Sequence, residues 1–324
     1  MNHELGTQNR ISFERRTAPE RSNPVARITQ LMRPTDIINL SFVFLLLIVS
    51  VLFRERVQAW RSLVFLYAGM LMVSGCLIWF CRGNPKPANA FPRRWYPLCF
   101  VILIFFSFGK IVHHILPYAV DEQLIAIDYA MFGLHPTVFL SQFLNPYLVD
   151  ALEVCYASFY FLPVILAFAL YLKKRMGEFE SVGIVVCLGF YLSYVGNLFF
   201  PSSGPYLNLH AFHTIPLEGK WVGDFIRTTL FALEPYRYDC FPSGHVAVTL
   251  ITLITCYRYE RRLFGIMLPV GTGLILSTVF LRYHYVIDVL AGAALAILVV
   301  AVGDRIQKAW ERLSASSEIT ETAS

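Results

Sequence analysis

Residues 282–303 read RYHYVIDVLAGAALAILVVAVG, a short polar and aromatic head followed by an apolar run in which Asp288 is the one charged residue. A run of this kind has the length that the hydrocarbon core of a bilayer asks of a helix, about 20 mostly apolar residues. Working outward along the chain, seven more stretches qualify, at roughly 36–53, 62–81, 97–116, 147–172, 180–200, 243–258 and 262–281, with the stretch above placed at 285–303. Composition agrees: of 324 residues 56% are hydrophobic, only 15% are charged and the mean hydropathy is +0.55. Soluble domains carry nearer a quarter charged residues. A soluble enzyme, a disordered chain and a disulfide scaffold are therefore excluded, and the predicted class is an all-α polytopic integral membrane protein of about eight transmembrane helices.

The net charge of +5 does not point to nucleic acid, because Lys and Arg form short clusters between the apolar runs. Six Arg precede residue 34, four Lys or Arg fall in 82–96, and three each fall in 173–175, in 258–262 and after 303; these nineteen share one side of the predicted topology. The other side has seven: Arg54, Arg56, Arg61, Lys220, Arg227, Arg237 and Arg282. The excess puts both termini in the cytoplasm and fits a plasma (inner) membrane protein. The N-terminal tail has no apolar run and is no cleavable signal peptide. Residues 117–146 carry Asp121, Glu122 and Asp128 among apolar residues and form either an amphipathic helix along the outer interface or a connecting loop. The seven cysteines show no metal or disulfide spacing and read mostly as small core residues, Cys240 excepted.

Polar groups at membrane depth are costly and call for a use. Phe241-Pro242-Ser243-Gly244-His245 opens the sixth stretch. Pro242 suits a first helical turn, and the backbone N–H groups at Ser243 and Gly244 face a helix start that favours an anion. His284 and Asp288 are four apart, so on a helix the carboxylate can accept from one ring nitrogen and make the other a better nucleophile or base. The charge count alone places His245 and His284 on the same outer face. Two histidines merely hydrogen-bonded between helices would need neither that placement nor the orienting acid. Lys110 with His113 and His114 forms a further cluster in the outer half of the third stretch, either lining a head-group cavity or snorkelling. Asp150 and Glu153 could face the same cavity, with no partner assigned.

The string Phe-Pro-Ser-Gly-His, followed 39 residues after its His by His-Tyr-x-x-Asp-Val-Leu-Ala-Gly, resembles the type-2 phosphatidic acid phosphatase (vanadium haloperoxidase-like) superfamily. The resemblance covers about residues 97–303 as a six-helix core, with 36–96 as two additional transmembrane helices, 1–35 as a basic cytoplasmic tail and 304–324 as a polar one. It implies that His284 is a nucleophile forming a phosphohistidine, that Asp288 orients it, that His245 protonates the leaving oxygen, and that Ser243 and the Gly244 amide bind phosphate. It implies no metal and no cofactor. The chain departs from the family pattern where Lys-x6-Arg-Pro is replaced by Asn197-x6-Gly204-Pro205, and where the Arg of Ser-Arg-x5-His is replaced by Thr278. These losses resemble the branch of inositol phosphorylceramide and sphingomyelin synthases, in which a lipid hydroxyl resolves the phosphohistidine.

Some cation must replace those lost if phosphate is to be held. Arg282 is the leading substitute, with Arg237 and Lys110 after it. The expectation is a metal-independent membrane lipid phosphotransferase, with its site on the extracytoplasmic face, moving an inositol-phosphate-type head group to an alcohol. The alternatives are a lipid phosphate or undecaprenyl diphosphate phosphatase and, from another class, a non-catalytic lipid transporter or scaffold. The partners implied are a lipid substrate and the bilayer, without nucleic acid; head group, acceptor and oligomeric state stay open.

Overall fold

The structure, a computed structural model, describes residues 31–81, 87–116, 118–233 and 238–322, together with Ile28. The basic tail expected at 1–35 falls outside these residues up to position 30, Ile28 apart. Among the described residues all regular structure is helical. The main helices are α1 (Pro34–Leu52), α2 (Trp60–Cys81), α3 (Pro87–Ile115), α4 (Asp121–Phe132), α5 (Pro136–Ser141), α6 (Pro146–Ala157), α7 (Leu162–Leu172), α8 (Met176–Phe199), α9 (Gly223–Leu233), α10 (Gly244–Tyr259), α11 (Arg261–Phe280) and α12 (Val286–Thr322). The chain is an all-α polytopic membrane protein: α1, α2, α3, α8, α11 and α12 are long and apolar enough to cross a bilayer.

Two of the eight expected spans differ. The fourth is broken: α6 and α7 meet at 49°, at a 3-10 turn over Ser158–Tyr160 followed by Pro163 in the first turn of α7. Counted as one span, the pair makes a seventh. The sixth expected stretch is α10, which at 16 residues is about 24 Å long, short of the ~30 Å apolar core. It sits inside the bundle, packed by α8, α11 and α12. Its polar residues are reconciled with burial locally, since Thr252 Oγ1 donates to Val248 O and Thr255 Oγ1 to Ile251 O.

α1 and α2 dock on this core through α3 and α8. Phe42 stacks on Tyr191 at 4.2 Å, and the surrounding apolar cluster takes in Leu46, Leu63, Tyr67, Ile104 and Ile111. Buried polar contacts fix the register: Asp36 accepts from Arg93 at 2.7 Å and Tyr96 at 2.9 Å, Tyr191 donates to Asn39, and Tyr67 meets Ser107 at 2.9 Å. A buried carboxylate is tolerated only with such partners. Of the seven cysteines, Cys187, Cys240 and Cys256 are buried, but Cys76 and Cys99 are exposed, so the expectation of core cysteines fails for those two.

α10 separates two ends of the molecule. At its C-terminal end Glu260 accepts from Lys173 at 2.5 Å and Arg175 at 2.8 Å, and Arg258 pairs with Asp304. Its N-terminal end carries His245, and there the loops before α4, before α9 and before α12 converge.

Candidate active site

α10 begins at Gly244 with Ser243 as its cap: Ser243 Oγ accepts from Val246 N at 3.3 Å. Pro242 therefore precedes the cap instead of lying in the first turn. The early N–H groups of a helix have no intrahelical acceptor, so this end is suited to an anion. Ser243 N donates to Asp288 O at 3.2 Å, which ties it to the start of α12. Gly292 makes that crossing possible, because a Cβ there would stand 2.5 Å from Ser243 O.

His284 sits just ahead of α12, in a turn closed by Thr278, whose carbonyl accepts from Tyr283 N at 2.9 Å and His284 N at 2.8 Å. Its Nδ1 lies 3.4 Å from Asp288 Oδ2, which also accepts from Tyr285 N at 2.9 Å. Its Nε2 lies 3.5 Å from His245 Nδ1. His245, His284 and Asp288 are all buried. Both contacts are longer than a charge-assisted bond. The three residues singled out in the sequence thus meet, though their chain positions span two helix starts.

The cleft beside them is lined by Tyr156, Tyr206, Phe231, Arg282 and both histidines, among others. Arg282 is the one Arg or Lys among its described lining residues. It holds φ at +66°, its Nη2 donates to Ile215 O at 2.6 Å, and its Nε is buried without a partner. Lys110 is not brought here: it is exposed on α3 and does not line the cleft. Arg237 lies outside the described residues.

The positions of the missing cations have structural occupants. Asn197, with its amide nitrogen toward Phe241 O at 2.8 Å, holds the backbone leading into Ser243. Gly204 has φ +83°, and a Cβ there would stand 2.7 Å from Tyr283 O and 2.8 Å from Cys240 Sγ, so no arginine fits. Thr278 is fully buried and its hydroxyl donates back to Ile275 O.

Four acids that sequence reasoning left without a role build the site from outside. α4 is the helix expected within 117–146, but its polar face is the buried one. Asp121 accepts from Ser202 Oγ at 2.9 Å, Gly204 N at 2.9 Å and Tyr285 Oη at 3.0 Å. Asp128 accepts from Val286 N and Ile287 N, both at 2.9 Å, and so caps α12. Burial pushes the Asp128 carboxyl up from its ordinary range, against the opposing pull of those two N–H groups. The signal was present as Asp121, Leu124 and Asp128, three positions that share one helical face. On α6, Asp150 accepts from the backbone N–H groups of Lys220, Trp221, Val222 and Gly223 at 2.6–3.1 Å and caps α9. Glu153 accepts from Tyr283 Oη and from Arg227.

Cys240, His284 and Asp288 place their ligating atoms within 4.8 Å of one another, a three-donor group that could take an ion.

An all-helical membrane protein with two facing histidines, an acid beside one of them and a cleft holding an arginine at a helix start is the class that fold and site define. A family model of the PAP2 superfamily matches residues 122–302, more than half of the chain, and the chain belongs to that superfamily. Over 114 residues it is 30% identical to a PA-phosphatase related-family protein of Dictyostelium discoideum, a match covering 33% of this chain and 20% of that protein. The chain thus aligns with about a fifth of that relative's length. No solved structure matches it. Membership of the superfamily suggests a lipid phosphatase-type enzyme in a membrane.

Proposed function

We propose that the chain is a membrane phosphotransferase that cleaves a lipid phosphoester through a phosphohistidine on His284 and passes the phosphoryl-bearing group to an alcohol. The observation that carries this is the line Asp288, His284, His245, with contacts of 3.4 and 3.5 Å. Asp288 holds the Nδ1 proton of His284 and leaves the Nε2 lone pair free. The phosphoryl group enters between the two rings. Nε2 forms the bond to phosphorus as the ester P–O bond breaks, and His245 gives its proton to the departing oxygen. In the second half the acceptor hydroxyl gives its proton to His245 while its oxygen displaces Nε2. Arg282, the Ser243 hydroxyl and the Gly244 N–H take up the equatorial charge.

Replacement of the family cations by Asn197, Gly204 and Thr278 favours transfer over hydrolysis. The transporter or scaffold reading leaves the orienting acid without a use. The reading takes 97–303 as the catalytic core, α1 and α2 as an addition, and the site as outward-facing in the plasma membrane. Because fixed charges stabilise phosphate, EDTA should leave turnover intact; a loss restored by a divalent ion would instead place an ion on Cys240, His284 and Asp288. The deciding experiment incubates purified protein with a panel of phospholipids and lipid phosphates plus free inositol, following inorganic phosphate and new lipids by mass spectrometry. A new phospholipid without phosphate release is the expected result. Phosphate release alone would make water the acceptor and the enzyme a lipid phosphate phosphatase.

A further inference from the structure

We propose that Glu153 is a positioning residue that couples helix α9, at the cleft mouth, to the ring of His245 through Tyr283 and Tyr156; this rests on the acid role given to His245 above. Glu153 is fully buried on α6, and both its carboxylate oxygens accept from Tyr283 Oη at 3.1 Å. Tyr283 stacks on Tyr156 at 4.2 Å and 23°, and Tyr156 stacks on His245 at 4.6 Å and 24°. The three rings form one column whose far end is pinned by a carboxylate. Phe159 packs against His245 at 4.2 Å, so among the described residues the imidazole is gripped by aromatic rings and not by a hydrogen-bonding acid. Asp150, Glu153 and Tyr156 lie at three-residue intervals on α6, which puts cap, pin and platform on neighbouring turns.

α9 reaches the same pin. Arg227 Nη1 lies 3.4 Å from Glu153 Oε1, and Phe231 sets its edge against the Tyr283 ring at 6.1 Å and 86°. Leu230 and Phe231 also line the cleft. A lipid entering past α9 therefore meets residues mechanically joined to the acid histidine. That joining has a use, because the 3.5 Å gap between the two imidazoles must open for a phosphoryl group to enter. The column gives His245 a defined place to stand once it does.

The test compares a phosphate ester with an alkyl leaving group and p-nitrophenyl phosphate, whose leaving group needs no proton. Tyr283→Phe keeps the ring that stacks and removes the hydroxyl that Glu153 holds. It should lower kcat/KM, which reports only the first half-reaction, about tenfold on the alkyl ester, a fraction of the 10²–10⁴ carried by a general acid, and change kcat/KM for p-nitrophenyl phosphate less than about threefold. Glu153→Ala should match it, and Glu153→Gln, which retains an acceptor for the hydroxyl, should recover part of the loss. Equal losses on both substrates, or no loss in Tyr283→Phe, would overturn the proposal. His245→Ala and His284→Ala serve as references: if the first is not selective for the alkyl ester, or the second stays active, the phosphohistidine reading itself fails. If both behave and Tyr283→Phe does not, only the coupling fails.

Discussion

Arg282 holds a left-handed backbone, φ +66°, that glycine would adopt without strain. A non-glycine residue there costs about 1–2 kcal/mol. The side chain gives a reason for keeping it, since its guanidinium sits at the cleft with Nε unpartnered and Nη2 on Ile215 O. Arg282→Gly should relieve the backbone and lose one hydrogen bond, effects of about 1 kcal/mol each that offset, leaving the melting temperature nearly unchanged. Turnover should fall at least about tenfold, and Arg282→Lys should regain only part, because an ammonium cannot make the two-pronged contact to phosphate. Full turnover in purified Arg282→Gly would remove Arg282 from the phosphate clamp. Neighbouring residues show why the two family arginine positions hold none. With Gly204 wedged against Tyr283 O and Cys240 Sγ and Thr278 fully buried, the two family arginine positions have no room for one.

At the level of elements, the site is two helix starts held in place by the acids of a third helix. Removing Asp128 in Asp128→Ala leaves the N–H groups of Val286 and Ile287 short of an acceptor, which should cost about 1–3 kcal/mol, seen as a lower melting temperature. Asp128→Asn keeps one acceptor oxygen and should lose about half as much; equal melting of all three proteins would show that the cap contributes nothing. The helices themselves were legible as apolar runs, and His245, His284 and Asp288 as polar groups that an apolar run does not otherwise tolerate. Asp121 and Asp128 were seen, but periodicity gives a helix face and not what covers it. Here the acids face inward, while Ile127, Tyr129 and Phe132 face out. Asp150 and Glu153 were harder, because their partners lie about 70 and, for Tyr283, 130 positions away. A single sequence does not encode such pairs visibly. Lys110 misled because helical spacing could not say that its face turns outward.

Across the whole molecule, charge separates by end. The clusters at 173–175 and 258–262 meet at the end of α10 opposite the histidines, joined through Glu260. Hydrogen bonds from Lys173, foremost, with those from Arg175 hold the Glu260 carboxyl below its usual range. A depressed acid stabilises the fold above its ordinary pKa of 4.5 and loses that as pH falls through its lower folded value. Both cations are part-exposed, so screening limits the effect to about 1 kcal/mol. Glu260→Gln should therefore melt slightly below the parent at pH 7, with the gap narrowing as pH falls below 4.5; a constant gap would rule out the ion pair as its cause. The same segregation carries the orientation. Positive clusters resist translocation, which argues for the proposed orientation, with the Glu260 end in the cytoplasm and the histidines outside. A cysteine at Glu218, exposed in the loop before α9, should react with a membrane-impermeant maleimide in intact cells, and one at Lys174 should react only after permeabilisation. Cys76 and Cys99 are first changed to Ser, because they are exposed. The reverse pattern would turn the enzyme over and hand it substrates of the inner leaflet, since the cleft and the Lys173–Glu260 contact sit at opposite ends of one 16-residue helix and cannot share a side.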